Sequence, residues 1–426
     1  MPVAVTKNLF VGPRPISKGE RIFGRDPEIQ RLTHLLLAER IVLLHSPSGA
    51  GKSSLIQAGF LPAFAGETED DFYVFPAVRL SMAADIGEGG PSIFSRAVVR
   101  SFEQVETAGG ASNHFESLEE YLGSRGKQKA NGRCICLVFD QFEECVTFPA
   151  GHEAAKTVFF VDLGKTLADH NVWALFAVRE DFLAPIVDLG RVLPTRFKQT
   201  FRLDFLSKES ACDVIQKTAK LGNYEFETDA LKRLVDDLAI VNVQGVDGKF
   251  EPVPGEFVEP LHLQVACQHI LQKLPEGTTK VEKHHLEHAK NGGPRPETSV
   301  DEALASYYRS EFSQIAGADR ELEQDLRFWI QENLIDPSGI RIPIRQGVET
   351  TEGLENQLID KLYDAYLVRK ERRLNATWYE LAHDRLVQPI LGDNKAWFNQ
   401  NLGLIGKECR LWIKNNRNPL YLLKGA

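Results

Sequence analysis

Two observations predict an α/β fold for the first half of the chain. Short apolar runs recur at residues 40–45, 72–80, 134–139, 172–178 and 200–203, and helical patterns fill the intervals between them. The runs are apolar at consecutive rather than alternate positions. That suits strands buried on both faces, and so a parallel sheet with helices above and below. Glycine-rich residues 87–91 and 108–112 read as surface loops between these elements.

Beyond residue 205 the pattern changes. Residues 206–290 read as helices with no convincing strand, and Ser207 can cap the first of them. Residues 245–255 read as a long loop and 292–296 as a linker. The next region, 299–392, runs in a different order. Helices near 301–315 and 319–332 precede a short strand at 340–344, a helix at 355–366, and two strands, 367–374 and 377–381, around a tight turn. Pro343 has no N–H for a ladder, which puts the short strand at a sheet edge. This order predicts a winged helix. Residues 393–426 read as an amphipathic helical tail.

Composition narrows the class. The chain has 426 residues, enough for about three domains at roughly 150 residues each. Hydrophobic residues make up 43% and charged residues 26%, which excludes collagen-like, disordered and disulfide-scaffold classes. Fifty Lys+Arg against 59 Asp+Glu give a net charge of −9, against a dedicated nucleic-acid binder. No apolar run approaches the ~20 residues of a membrane span, and residues 1–8 hold no signal-peptide core. A cytoplasmic location is expected. The six cysteines show neither Cys-x-x-Cys pairs nor zinc spacing, and Cys134 and Cys136 read as buried strand thiols.

The strongest chemical signal is Ser46-Pro-Ser-Gly-Ala-Gly-Lys-Ser-Ser54, between an apolar strand and a helical run. In a P-loop, successive backbone N–H groups and a helix N-terminus surround the phosphates, with glycine where the backbone passes close. Ser48, Gly49, Ala50, Gly51, Lys52, Ser53 and Ser54 would line that cradle. Lys52 would reach the β/γ-phosphates, and the Ser53 hydroxyl would bind Mg²⁺. Ser46 departs from the pattern, because it stands where the first glycine is usual.

A second element is the strand ending in Asp140-Gln-Phe-Glu143-Glu144. Asp140 suits a Walker B carboxylate holding Mg²⁺ opposite the loop serine, and either Glu143 or Glu144 could polarise the attacking water. Alternatively, Asp140 caps a helix that the two glutamates favour. The next core strand ends in Arg179, placed to sense a γ-phosphate, or to pair with Glu180 or a Walker B acid.

Together these residues resemble the STAND NTPases, signal-transduction ATPases related to the AAA+ proteins, and most closely the Novel STAND NTPase 1 type. The resemblance extends from Phe10-Val-Gly-Pro-Arg-Pro-Ile16 and Ile22-Phe-Gly24-Arg25-Asp-Pro-Glu28 to Tyr379-Glu-Leu-Ala-His383-Asp-Arg-Leu386. It implies an α/β P-loop NTPase domain with a parallel sheet at 1–205, an α-helical lid domain at 206–298 and a winged-helix domain at 299–392. By the same resemblance Gly24 and Arg25 lie near adenine, Pro260 of Val258-Glu-Pro-Leu-His packs against the base, and His383 contacts the diphosphate.

The resemblance further implies an ATP/ADP- and Mg²⁺-dependent switch with slow, regulatory hydrolysis. His383 would hold an ADP-bound closed form. A γ-phosphate sensed by Arg179 would favour a form that self-associates. For bacterial relatives it suggests signalling or defence against phage. Family members usually carry an effector or sensor in the same chain, so the sequence is expected to be an excised core or to act with a separate effector or sensor protein. Two rival readings remain. One is a nucleotide-regulated DNA-binding protein using Arg341, Arg345, Arg369, Lys370, Arg372 and Arg373. The other is a nucleotide-binding scaffold without turnover.

Overall fold

A computed structural model of the chain describes residues 9–401, except 13, 81–91, 105–114, 148–152, 245–249, 287–298, 338, 340 and 374–375. The expected loops at 87–91 and 108–112, the linker at 292–296, Cys409 and the tail beyond 401 lie outside the described residues. The chain divides into two compact units, Met1–Leu286 with Arg372–Asn375, and Glu287–Glu371 with Ala376–Ala426.

The larger unit is built on five parallel strands: β1 (Ile41–Ser46), β2 (Phe72–Val74), β3 (Cys134–Phe139), β4 (Val172–Arg179) and β5 (Thr200–Arg202). Their order across the sheet is β2-β3-β4-β1-β5. Alternate side chains of each strand enter opposite cores. Leu43, Leu137, Phe139, Phe176 and Val178 face Phe94, Val98, Phe159 and Leu163 on one side. Val42, Leu44, Val138, Leu175 and Ala177 face Leu32, Leu36, Ile56 and Phe60 on the other. Each large side chain buried this way contributes about 1.5–3 kcal/mol, which is why the strands carry unbroken apolar runs.

The expected strand at 72–80 is shorter than predicted. The ladder stops at Val74, and Pro76 has no N–H to extend it. The chain nevertheless keeps following β3, since Val78 bridges Phe139 and the Asp140 N–H donates to Val78 O at 2.9 Å.

Residues 206–286 require a correction, because this region was expected to hold no strand. The helices are Lys208–Leu221, Thr228–Leu238 and Pro260–Lys273, and the Ser207 hydroxyl caps the first by accepting from Ser210 N at 3.1 Å. Among them, Leu206–Ser207 pairs with Phe257–Val258, Glu225–Phe226 with Lys280–Val281, and Ile240–Gln244 with Phe250–Pro254. The last hairpin includes part of the expected long loop. Pro252 and Pro254 fit there because a two-stranded ribbon has a free edge on each strand, where a missing N–H is tolerated.

In the smaller unit, helices Ser299–Ala316, Arg320–Asn333, Asn356–Asp364 and Val387–Asn401 accompany a three-stranded sheet. Ala376–Leu381 is its central strand, between Ile344–Arg345 and Val368–Arg373. The ladder begins only after Pro343. Asp319 caps the second helix by accepting from Glu321 N and Leu322 N, each at 3.0 Å.

Three helices meet on Arg327, whose side chain is 0% exposed. It donates to Asp393 Oδ2 at 2.7 Å, Asn394 Oδ1 at 3.1 Å and Glu323 Oε1 at 2.9 Å. The rings of Tyr308, Phe312 and Trp397 surround its guanidinium. Among the described residues, no helix of either unit is long and apolar enough to cross a membrane.

Candidate nucleotide-binding site

β1 delivers the chain to residues 47–51, after which helix Lys52–Ser54 continues through a π-helical turn, Leu55–Phe60, into Leu61–Glu67. Gly49 and Gly51 have φ of 81° and 90°, a conformation that strains any residue with a Cβ. Ser46 is strand backbone without positive φ, so the glycine usual there is not needed for this turn. The Ser46 hydroxyl instead donates to Pro47 O at 2.8 Å and accepts from Lys52 Nζ at 2.7 Å.

Around Lys52 the fold collects charge from three strand ends. Loss of water lowers the Lys52 pKa, Glu143 and Asp140 oppose that shift, and Arg179 adds to it. Asp140 follows β3 and is 1% exposed, and its Oδ1 accepts from the Ser53 hydroxyl at 3.1 Å, across 87 positions of sequence. Gln141 then takes a left-handed φ of 54°, and the Phe142 N–H donates to Ala177 O at 2.8 Å. That kink turns Phe142 into the core and leaves Glu143 beside β4, where its Oε2 accepts from Arg179 N at 3.3 Å. Burial raises the Glu143 pKa, with Lys52 opposing. Glu144 starts the next helix, Glu144–Thr147, and is half-buried.

Arg179 ends β4, pairs with Asp181 and lies 5.4 Å from the centre of the Phe182 ring. Its buried Nε has no hydrogen-bond partner among the described residues. Glu180, the partner expected as an alternative, pairs with Arg202 at 3.2 Å instead.

The segment before the first helix is tied to the loop. Buried Arg25 donates to Ala50 O at 3.0 Å, to Asp204 O at 2.9 Å and to Glu28 at 2.8 Å. Gly24, at φ 70°, lies so close to helix Lys208–Leu221 that a Cβ would sit 2.6 Å from Val214 Cγ2. Ser54 Oγ accepts from Ile16 N at 3.0 Å, facing this segment. Pro260 opens helix Pro260–Lys273, and its Cγ is 4.0 Å from where a Cβ of Gly51 would lie. Ser48 and Ala50 complete the turn, Ala50 being fully buried. His383 belongs to the smaller unit, between Ala376–Leu381 and the turn Asp384–Leu386.

The larger unit therefore brings Lys52, Ser53, Asp140, Glu143 and Arg179 into one cluster, with Arg25 and Pro260 against the loop backbone. Sequence reasoning missed Arg79, which donates to Asp140 Oδ2 at 3.3 Å. Its signal would have been an arginine immediately after the residue that bridges β3. Ser53 and Asp140 offer a hydroxyl and a carboxylate, hard oxygen donors that fit Mg²⁺. In the smaller unit, Arg341 and Arg369 clasp the buried Glu380 at 3.0 and 2.9 Å, and Lys370 pairs with Asp360 at 2.6 Å. Those three cations, expected as candidate DNA contacts, are neutralised within their own unit. Arg345 is exposed, and the side chains of Arg372 and Arg373 lie outside the described residues.

Comparison with solved structures finds a Walker-type ATPase of Pyrococcus abyssi, 15% identical, covering 90% of this chain and 99% of that one with a TM-score of 0.43. The Aeropyrum pernix ORC2 protein in ADPNP–ADP complexes is 13% identical, with coverages of 92% and 98% and a TM-score of 0.43. The ORC1 protein of the same organism, solved with DNA, is 14% identical, with coverages of 92% and 96% and a TM-score of 0.45. No curated protein matches. The profile of the Novel STAND NTPase 1 family matches residues 16–389. The chain belongs to the Novel STAND NTPase 1 family and is a nucleotide-binding NTPase.

Proposed function

We propose that this chain is an ATP/ADP switch in which residues 47–54 hold the phosphates and slow ATP hydrolysis resets the state. The observation that carries the reading is the 3.1 Å contact between Ser53 and Asp140, which joins the phosphate loop to the acidic strand end. In this reading Ser53 and Asp140 would hold Mg²⁺, which would supply positive charge to the phosphates. Lys52 binds the phosphate oxygens directly, and its contact with Ser46 is exchanged for the phosphate. Glu143, with its raised pKa and its anchor on the Arg179 N–H, takes the proton of the attacking water. Arg179, with one donor unpaired, answers to the γ-phosphate.

The remaining parts follow the family resemblance. Pro260 packs against the base from a lid at 206–298, and His383 holds the diphosphate from a winged helix at 299–392. Conversion to the ATP state would then favour self-association and engagement of a separate effector or sensor. Such a switch operates only through unequal nucleotide affinity of its two forms. Fluorescent ADP and ATP analogues, titrated into the full chain with Mg²⁺ while light scattering follows size, test it. Nucleotide-dependent change in size is expected, with binding weakened about a hundredfold in Lys52→Ala. Equal affinities and an unchanged size would overturn the switch.

A further inference from the structure

We infer that Arg79 is a resident counter-ion for Asp140, occupying the position that a divalent cation must clear before it can bind. The inference rests on the preceding reading of Ser53 and Asp140 as the metal donors. Asp140 is 1% exposed, and a carboxylate removed from water needs a compensating charge. Both of its oxygens are engaged: Oδ1 by the Ser53 hydroxyl at 3.1 Å and Oδ2 by the Arg79 guanidinium at 3.3 Å. The backbone sets this up. Val78 bridges Phe139 and accepts from the Asp140 N–H, so the next residue, Arg79, lies beside the carboxylate.

The geometry is that of a displaceable partner. Arg79 makes one contact to the carboxylate where a guanidinium can make two, and its side chain remains 38% exposed. The position therefore clears by movement of the side chain. Solvent is available to receive it. A doubly charged cation carrying nucleotide phosphates competes well against one monovalent contact, whereas the metal alone competes poorly. Arg79 thereby couples metal binding to nucleotide binding, and keeps Asp140 neutralised when neither is present.

The test measures the Mg²⁺ concentration that half-maximally tightens binding of a fluorescent ADP analogue by the full chain. Arg79→Gln is expected to lower that concentration about fivefold, on the scale of a part-exposed ion pair. Arg79→Lys keeps the charge and is expected to behave like the wild type. An unchanged or raised concentration in Arg79→Gln overturns the inference. Asp140→Asn separates the two levels: if it leaves the Mg²⁺ dependence intact, the metal-site reading itself fails. If Arg79→Gln does not fold, the double variant with Asp140→Asn decides. Recovery of the fold supports the counter-ion role, and failure of both variants overturns it.

Discussion

Arg327 in the smaller unit and Lys52 in the larger one are both cations enclosed by protein, and their partners differ in kind. Arg327 touches two carboxylates and an amide oxygen and is ringed by three aromatic side chains. Among the described residues Lys52 touches the hydroxyl and carbonyl oxygen of Ser46, while Glu143 and Asp140 act on it through space. The first cation is neutralised at contact and serves as framework. The second is short of an anion, beside a glutamate whose own pKa burial has raised. Perturbed charges of this kind cluster at functional sites.

Truncation should separate the two cations. Arg327→Met leaves Asp393 buried with one arginine fewer, and is expected to cost about 3–5 kcal/mol of unfolding free energy by denaturant titration. A cost below about 1 kcal/mol would break the comparison on the structural side. Lys52→Ala is expected to do the reverse. Nucleotide affinity should fall about a hundredfold, roughly 2.7 kcal/mol, with the nucleotide-free protein as stable as before. Marked destabilisation of the free protein would make Lys52 a second Arg327.

Glu143→Gln sharpens the comparison by removing the buried charge while keeping the shape. Burial raises the folded-state pKa of Glu143, so the folded chain holds this proton more tightly than the unfolded chain does. Stability from this group is therefore greatest at low pH, and declines as pH rises from the ordinary carboxyl range through the raised value. Glu143→Gln should stabilise the nucleotide-free protein by about 1 kcal/mol at pH 8 and by progressively less on acidification. A destabilised variant, or a gain independent of pH, would show that Glu143 is already neutralised in place.

These charges were unequally legible in the sequence. Lys52, Ser53 and Asp140 could be grouped in advance because a glycine-rich turn after a strand and an acid after another apolar strand end on the same edge of a parallel sheet. The sheet itself was readable because its strands are buried on both faces. The hairpin Ile240–Gln244 with Phe250–Pro254 was not, because two prolines obscure a ribbon that has no interior strand. The reach of the Arg25 guanidinium to the backbone oxygens of Ala50 and Asp204 had no signal in the sequence, since both acceptors are main chain. Arg79 and Arg327 were invisible for a common reason. Each is defined by an acid more than sixty positions away, and single-chain periodicity carries no record of that pairing.

Ser46 supplies the smallest effect and the finest discrimination. Its hydroxyl accepts a charge-assisted hydrogen bond from Lys52 at 2.7 Å, and the same ammonium must leave that contact to meet a phosphate. Ser46→Ala removes the hydroxyl and leaves the carbonyl oxygen, 3.5 Å away, as the remaining contact. The nucleotide-free state loses an interaction that the bound state no longer makes, so affinity should rise by about threefold, roughly 0.7 kcal/mol. A fall in affinity would carry the opposite meaning. The hydroxyl would then be aiming Lys52 at the phosphate in the bound state, and a serine at the usual glycine position would be part of the phosphate grip.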